Sequence, residues 1–244
     1  MHHKPNYISD IVSIVLPVYN CSNELKEGLP ILINYLDGFL NHYELIVVDD
    51  GSSDAKHISD TCIHFGCMYL RNEVNQGKGY ALRSGVSKTS GNIVLFMDGD
   101  FPFELQSIEQ MVSTLENRSS DITIGDRTLP GSIVSENLSL IRKLASNVLS
   151  YLLKIFRITE FRDTQCGLKG FTREVALQVF PKLKEDRFGF DIELIHVAQK
   201  MGFRIVTVPV KVIDQKSTSV KVLRDGWNIF KLTARLFLMN KKRN

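Results

Sequence analysis

GNIVLFMDGDFPF, residues 91–103, drives a run of strand-forming apolar residues straight into two carboxylates, Asp98 and Asp100. Gly99 and the Phe101-Pro102 pair stop anything regular just beyond it. Two like charges at the end of a buried strand raise each other's pKa and cost stability unless something positive sits between them. In extended chain, residues i and i+2 point the same way, so Asp98 and Asp100 can converge on one cation. Two hard oxygen donors with open positions suit Mg2+ or Mn2+ completed by phosphate oxygens and water. A calcium loop of the EF-hand type is a poor fit, because Pro102 and Phe103 stand where it needs Asp or Asn and then Gly. An isolated D-x-D reads as a solvated turn; its place at the end of a buried strand, beside a second acidic strand end, favours the metal.

Working outward, strand-like runs stand at 11–18, 44–49, 67–70, 92–98 and 121–125. Helix-compatible stretches lie near 22–40, 54–65, 78–88 and 104–117. The runs are continuous in Val, Ile and Leu rather than alternating, which predicts strands covered on both faces. Strand and helix in turn imply an α/β fold, a Rossmann-like, mostly parallel sheet with helices on both faces. Ligands bind such sheets beyond the carboxyl ends of the strands. Those ends read PVYN, DDGSSD and DGD, so the polar residues share one edge. Asp49 and Asp50 at the second end suit the N–H and hydroxyl donors of a base or ribose; helix capping is the other reading.

The second half differs. A long helical pattern at 138–156 carries Arg142, Lys143 and Lys154, and a strand is expected at 203–212. No linker, repeat or low-complexity segment separates the halves, so 1–244 reads as one domain.

Bulk properties exclude several classes. A net charge of +3 over 244 residues, with no basic block or stacking motif, gives no reason to expect nucleic acid. Four cysteines without zinc-site spacing read as reduced thiols in the cytoplasm. No apolar window reaches the roughly 18 residues of a membrane span. NEVNQGKG (72–79) is neither a P-loop nor a dinucleotide fingerprint. Lys78 between two glycines at a helix start is open to two readings, a phosphate or sugar contact and a solvated turn lysine.

Together IVLPVYN (14–20), ELIVVDDGSSD (44–54), NQGKGYALRSGV (75–86) and GNIVLFMDGD (91–100) resemble the donor half of inverting family 2 glycosyltransferases of the glycosyltransferase-A fold. DTQCGLKGFTREVA (163–176), FGFDIELIHVAQKMGFRIVTVPV (188–210) and RDGWNIFKL (224–232) resemble the polyprenyl-phosphate branch. The dolichyl-phosphate β-glucosyltransferases are nearest, the dolichol-phosphate mannose synthases more distant. The resemblance covers roughly 11–235 and implies a nucleotide-sugar-binding half at about 11–126 and an acceptor-binding half, with a C-terminal amphipathic helix, at about 127–244. It implies a nucleotide-sugar site at Pro17, Tyr19, Asn20, Val48, Asp50, Lys78, Asp98 and Gly99. It also implies metal ligands Asp98 and Asp100, and an acceptor-phosphate site at Arg127, Arg142 and Ser146. Asp163 and Gln165, with Arg127 and Arg142, would form the reaction centre. The chain departs from the family at Cys21, where an acid is usual, at Pro102, where some relatives carry Gln, and at the loop DQKSTSVK, with Lys216 and Lys221.

A physical argument separates two kinds of acceptor. A hydroxyl needs a general base to take its proton, and Asp163, Asp191 and Glu193 are the candidates. A phosphate is already anionic and needs cations, a task suited to the guanidinium forks of Arg127 and Arg142. On the helical pattern Ser146 shares a face with Arg142. From Arg224 onward six bases and one acid interleave with Trp227, Phe230, Leu236 and Phe237. That pattern fits an interfacial helix on a membrane surface and equally a core-packing helix with a basic tail. The expectation is therefore Mg2+- or Mn2+-dependent transfer of a hexose, glucose from UDP-glucose, to a polyprenyl or dolichyl phosphate at the cytoplasmic face of a membrane, feeding envelope or protein glycosylation. Transfer to a glycan hydroxyl and a non-catalytic nucleotide-sugar module are the alternatives.

Overall fold

The computed structural model describes residues 11–132, 149–156, 158–187, 189–212 and 231–237. Its first hundred residues follow the expected alternation: β1 (Val12–Val18), α1 (Ser22–Leu36), β2 (Tyr43–Asp49), α2 (Ala55–His64), β3 (Met68–Arg71), α3 (Lys78–Val86) and β4 (Ile93–Met97). Then come α4 (Gln106–Glu116), β5 (Ile122–Asp126), β6 (Leu168–Thr172), α5 (Arg173–Val179), α6 (Phe190–Lys200) and β7 (Ile205–Pro209). Residues 149–155 and 231–237 are also helical.

The strands form one seven-stranded sheet in the order β3-β2-β1-β4-β6-β5-β7. β1 pairs in parallel with β2 and β4, and β2 with β3. β6 runs antiparallel between β4 and β5, and β7 returns parallel to β5. Both faces are covered, which explains the unbroken apolar runs. Val12, Ile14, Leu16 and Val18 of β1 pack under α1, α2 and α4. Val15 enters a second core with Val48, Phe96, Leu82 of α3 and Leu194 of α6. Each fully buried aliphatic side chain contributes about 1.5–3 kcal/mol.

A third cluster joins Leu153 and Phe156 to Ile192 of α6 and to Leu232 and Leu236. The helical segment 231–237 therefore packs inward, with Leu232 and Leu236 buried and Phe237 exposed. No helix among the described residues is long and apolar enough to cross a membrane. Arg142, Lys143, Ser146, Lys216, Lys221 and Trp227 lie outside the described residues.

Candidate active site

Because β1 is parallel and in register with both neighbours, with Val18 opposite Asp49, the three acidic or polar strand ends meet at one edge. Their side chains do different things. Asp49 is fully buried and accepts hydrogen bonds from the Ser52 amide (2.8 Å), the Tyr69 hydroxyl (2.7 Å) and Arg71 Nη1 (3.0 Å). It locks the end of β2 to β3 and caps no helix. Asp50 accepts from Asn72 Nδ2 (2.8 Å), Gln76 N (3.0 Å) and Gly77 N (2.7 Å). A residue expected to grip the donor thus also anchors the loop that leads into α3.

Other expected donor contacts are placed unevenly. Pro17 is half-buried, Tyr19 is half in solvent, and Gly99 packs under the Pro17 carbonyl. Asn20, at φ +52°, accepts from the Ser53 amide and hydroxyl and so ties the end of β1 to the start of α2. Val48 departs from expectation. Its side chain is fully buried in the second core, so only its backbone reaches the edge.

Lys78 departs from the reading as a solvated turn lysine. The α3 amides of Gly79 and Tyr80 donate to the Asp186 carbonyl, so this helix start is capped from within the protein. Gly77 and Gly79 are glycines because a Cβ on either would collide with the backbone at residues 185–186, and Gly77 sits at φ +109°. Lys78 is neither a solvated turn residue nor free to cradle phosphate with those amides. Its Nζ pairs with Asp98 and lies 5.6 Å from the ring centres of Phe96 and Phe190. Burial opposes its charge, but Asp98 and then Asp191 hold its pKa above the ordinary lysine value.

Asp98 is held from the second half of the chain. Its amide donates to the Gly167 carbonyl (3.1 Å), and a Cβ on Gly167 would overlap its carboxylate. The chain then turns through Phe101, at φ +51°. Asp100, just before Phe101, is exposed. Desolvation of its carboxylate, and then the charge of Asp98, raise its pKa. A pair of crowded hard oxygen donors with open neighbouring positions fits a divalent ion completed by phosphate oxygens and water. No cluster of three or more His, Cys, Asp or Glu that could hold a metal ion stands among the described residues. Cys21 is a neutral neighbour, its thiol pushed up to about 12 chiefly by burial.

Arg127 and Asp163 come together as a buried pair. Arg127 Nε and Nη2 donate to the two Asp163 oxygens at 2.7 Å each, and its backbone amide adds a third bond of 2.9 Å. Burial works against the Asp163 charge, but the hydrogen bonds and charge of Arg127 hold its pKa below the usual carboxylate range. One edge of the fork expected to grip phosphate, Nε and Nη2, is thus committed within the protein. Asp163 lines an open, polar depression with Arg127, Ser150, Arg162, Thr164 and Gln165. Arg162 was not singled out in the sequence; its one signal is that it directly precedes DTQCG.

The two remaining candidate bases are also engaged. Asp191 is buried against the fully buried Lys169, whose Nζ also donates to the Cys166 carbonyl (2.7 Å). Glu193 accepts from the Lys184 and Glu185 amides at 2.7 Å each and pairs with Arg235 at 3.2 Å.

The family model for Glycosyl transferase family 2 matches residues 13–180. Dolichyl-phosphate beta-glucosyltransferase of Dictyostelium discoideum is 30% identical over 238 residues, covering 88% of this chain and 72% of that protein. The mouse protein of the same name is 33% identical over 215 residues, covering 82% of this chain and 66% of its own length. Among solved structures, glucosyl-3-phosphoglycerate synthase from Mycobacterium tuberculosis, in complex with Mn2+, UDP-glucose and phosphoglyceric acid, superposes with a TM-score of 0.69 at 20% identity. That match covers 93% of this chain and 80% of the other, and with it the α/β sheet is of the glycosyltransferase-A type.

Proposed function

This chain belongs to glycosyl transferase family 2, and from that premise we propose that it moves glucose from UDP-glucose, with inversion, to a polyprenyl or dolichyl phosphate. That it is a glycosyltransferase follows from the family itself. The acceptor is the proposal. One observation carries it: Asp163, Asp191 and Glu193, the carboxylates from which a hydroxyl acceptor would need a base, are all committed to cations or amides within the protein. A phosphate acceptor needs none of them, because its oxygen is already anionic when it attacks the anomeric carbon. One displacement, with attack opposite the departing diphosphate, inverts that centre.

The strand-end edge would hold the donor. Pro17, Tyr19, Asn20 and the Val48 and Gly99 backbone border the nucleotide, with Asp50 keeping the loop at 72–77 in place. Lys78 keeps a positive charge beside Asp98. Asp98 and Asp100 would hold Mg2+ or Mn2+, which as a Lewis acid would stabilise charge on the leaving diphosphate. Gln165, Arg127 and, on the resemblance, Arg142 and Ser146 would face the acceptor. Support for the lipid comes from the relatives' name and from the exposed Tyr151, Ile155 and Phe237 on the two helical segments of the third cluster. Those side chains, with the basic residues around them, would rest on the cytoplasmic membrane surface.

The test is transfer from a panel of UDP- and GDP-hexoses to dolichyl and undecaprenyl phosphate, with Mn2+ or Mg2+. UDP-glucose with a lipid phosphate should give a chelator-sensitive, β-linked product. Efficient transfer to glycan hydroxyls and none to lipid phosphate would overturn the reading.

A further inference from the structure

The Arg127 fork gives its Nε and Nη2 to Asp163, and the depression beside that pair contains a second guanidinium. The Arg162 side chain is exposed, lines the depression, and has no acidic partner among the described residues. Its neighbour Asp163 is turned inward to Arg127. The Arg127–Asp163 pair is neutral in sum, so among the described residues that line the depression Arg162 supplies the net positive charge. We propose, resting on the acceptor reading above, that Arg162 is the residue that grips the phosphate monoester of the acceptor.

Three features make the depression a built site. The Ser150 hydroxyl donates to the Arg162 carbonyl, which fixes the backbone of Arg162 against the helical segment 149–155. Gln165 presents its amide from the same loop, and Arg127 keeps its Nη1 edge free of partners among the described residues. A dianionic phosphate therefore meets an unspent fork on one side and neutral or shared donors on the other, the arrangement that guanidinium matches best. The same helical segment projects Tyr151 and Ile155, four residues apart and both mostly in solvent. A prenyl phosphate, the acceptor proposed above, joins a charged head to an apolar chain; a small phosphorylated acid offers only the head.

Calorimetry on the full chain with UDP and Mn2+ tests this, using a short-chain prenyl phosphate, inorganic phosphate and phosphoglycerate as titrants. Arg162→Gln should weaken prenyl phosphate binding about tenfold or more while leaving UDP affinity unchanged, because a charge-assisted bond is lost outside the donor edge. Arg162→Lys should fall between, having the charge without the fork. Inorganic phosphate should bind more weakly than the prenyl compound and show the same dependence on Arg162. If wild type binds prenyl phosphate and Arg162→Gln binds it equally well, the assignment of Arg162 is wrong while the acceptor reading stands. If phosphoglycerate binds tighter than prenyl phosphate, the lipid acceptor is wrong even where Arg162 matters. If no phosphate binds to wild type, both fall.

Discussion

Asp98 and Asp163 are both aspartates beside a cation, and their surroundings give them opposite roles. Asp98 is a third exposed, crowded by Asp100 and paired with Lys78, so its position remains open to a ligand. Asp163 is buried, with both oxygens filled by Arg127. Asp98→Asn and Asp100→Asn should each lose about 10²-fold or more in turnover. Mn2+ binding followed by electron paramagnetic resonance should weaken in parallel, with the fold intact. Unchanged Mn2+ binding in both variants would remove the metal assignment. Asp163→Asn should instead act on stability. Breaking a buried pair costs about 3–5 kcal/mol, with the lower end expected because a quarter of the Arg127 side chain is exposed. Since the folded-state pKa of Asp163 is lowered, its contribution is present above the unfolded value, about 3.9, and is lost as pH falls through the folded value. The stability gap between wild type and Asp163→Asn in urea melts should be flat from about pH 5 to 8 and close below about pH 4. A gap that widened on acidification would contradict the ion-pair assignment.

At the scale of elements, β1, β2 and β4 were legible because buried parallel strands are almost all Val, Ile and Leu, and their polar ends mark the edge where ligands bind. β6 was not. Leu168–Thr172 reads LKGFT, with a lysine and a glycine where a central strand should be apolar. Its lysine becomes acceptable only through Asp191, 22 residues away on α6, and the Cys166 carbonyl. Gly170 is required because a Cβ there would meet Leu95 and Thr123 from both neighbouring strands. Apart from the Cys166 carbonyl none of these partners is local, so no window of sequence shows them. The same non-local logic hid the roles of Asp50 and of the α3 start, where Asp186 supplies the cap. The Lys169–Asp191 pair also bears on the site, since it pins the carbonyl directly before Gly167, the glycine that abuts Asp98. Lys169→Met should cost about 3–5 kcal/mol by leaving Asp191 buried without its cation. Adding Asp191→Asn should recover part of that loss, giving a coupling energy of about 0.5–3 kcal/mol in a double-mutant cycle. Strict additivity in urea denaturation would show that the two side chains do not depend on one another.

At the scale of the whole molecule, one sheet carries the proposed donor edge and the proposed acceptor side, and the contacts between them are numerous. Asp186 caps α3 and pairs with Arg83, Gly167 bounds Asp98, and Glu193 gathers the 184–185 loop and Arg235 of the 231–237 helix. Carboxylates on the acceptor side thus serve as structural anchors, and that use has a kinetic consequence. If a side-chain base took a proton from a hydroxyl acceptor, replacing it with the carboxamide would abolish the acid limb of the kcat/KM profile together with most of the rate. If the acceptor is a phosphate monoester, the acid limb belongs to the substrate, whose second ionisation lies near pH 6. Glu193→Gln should then melt at lower temperature, because it weakens the bonds to two amides and to Arg235, yet keep an acid limb at the wild-type position. Asp191→Asn should behave alike, with the loss falling on Lys169. Both profiles are measurable with a soluble short-chain prenyl phosphate and UDP-glucose, well below the melting temperature of the weaker variant. A Glu193→Gln or Asp191→Asn enzyme that is folded, inactive and without an acid limb would make that residue the base, and the acceptor a hydroxyl.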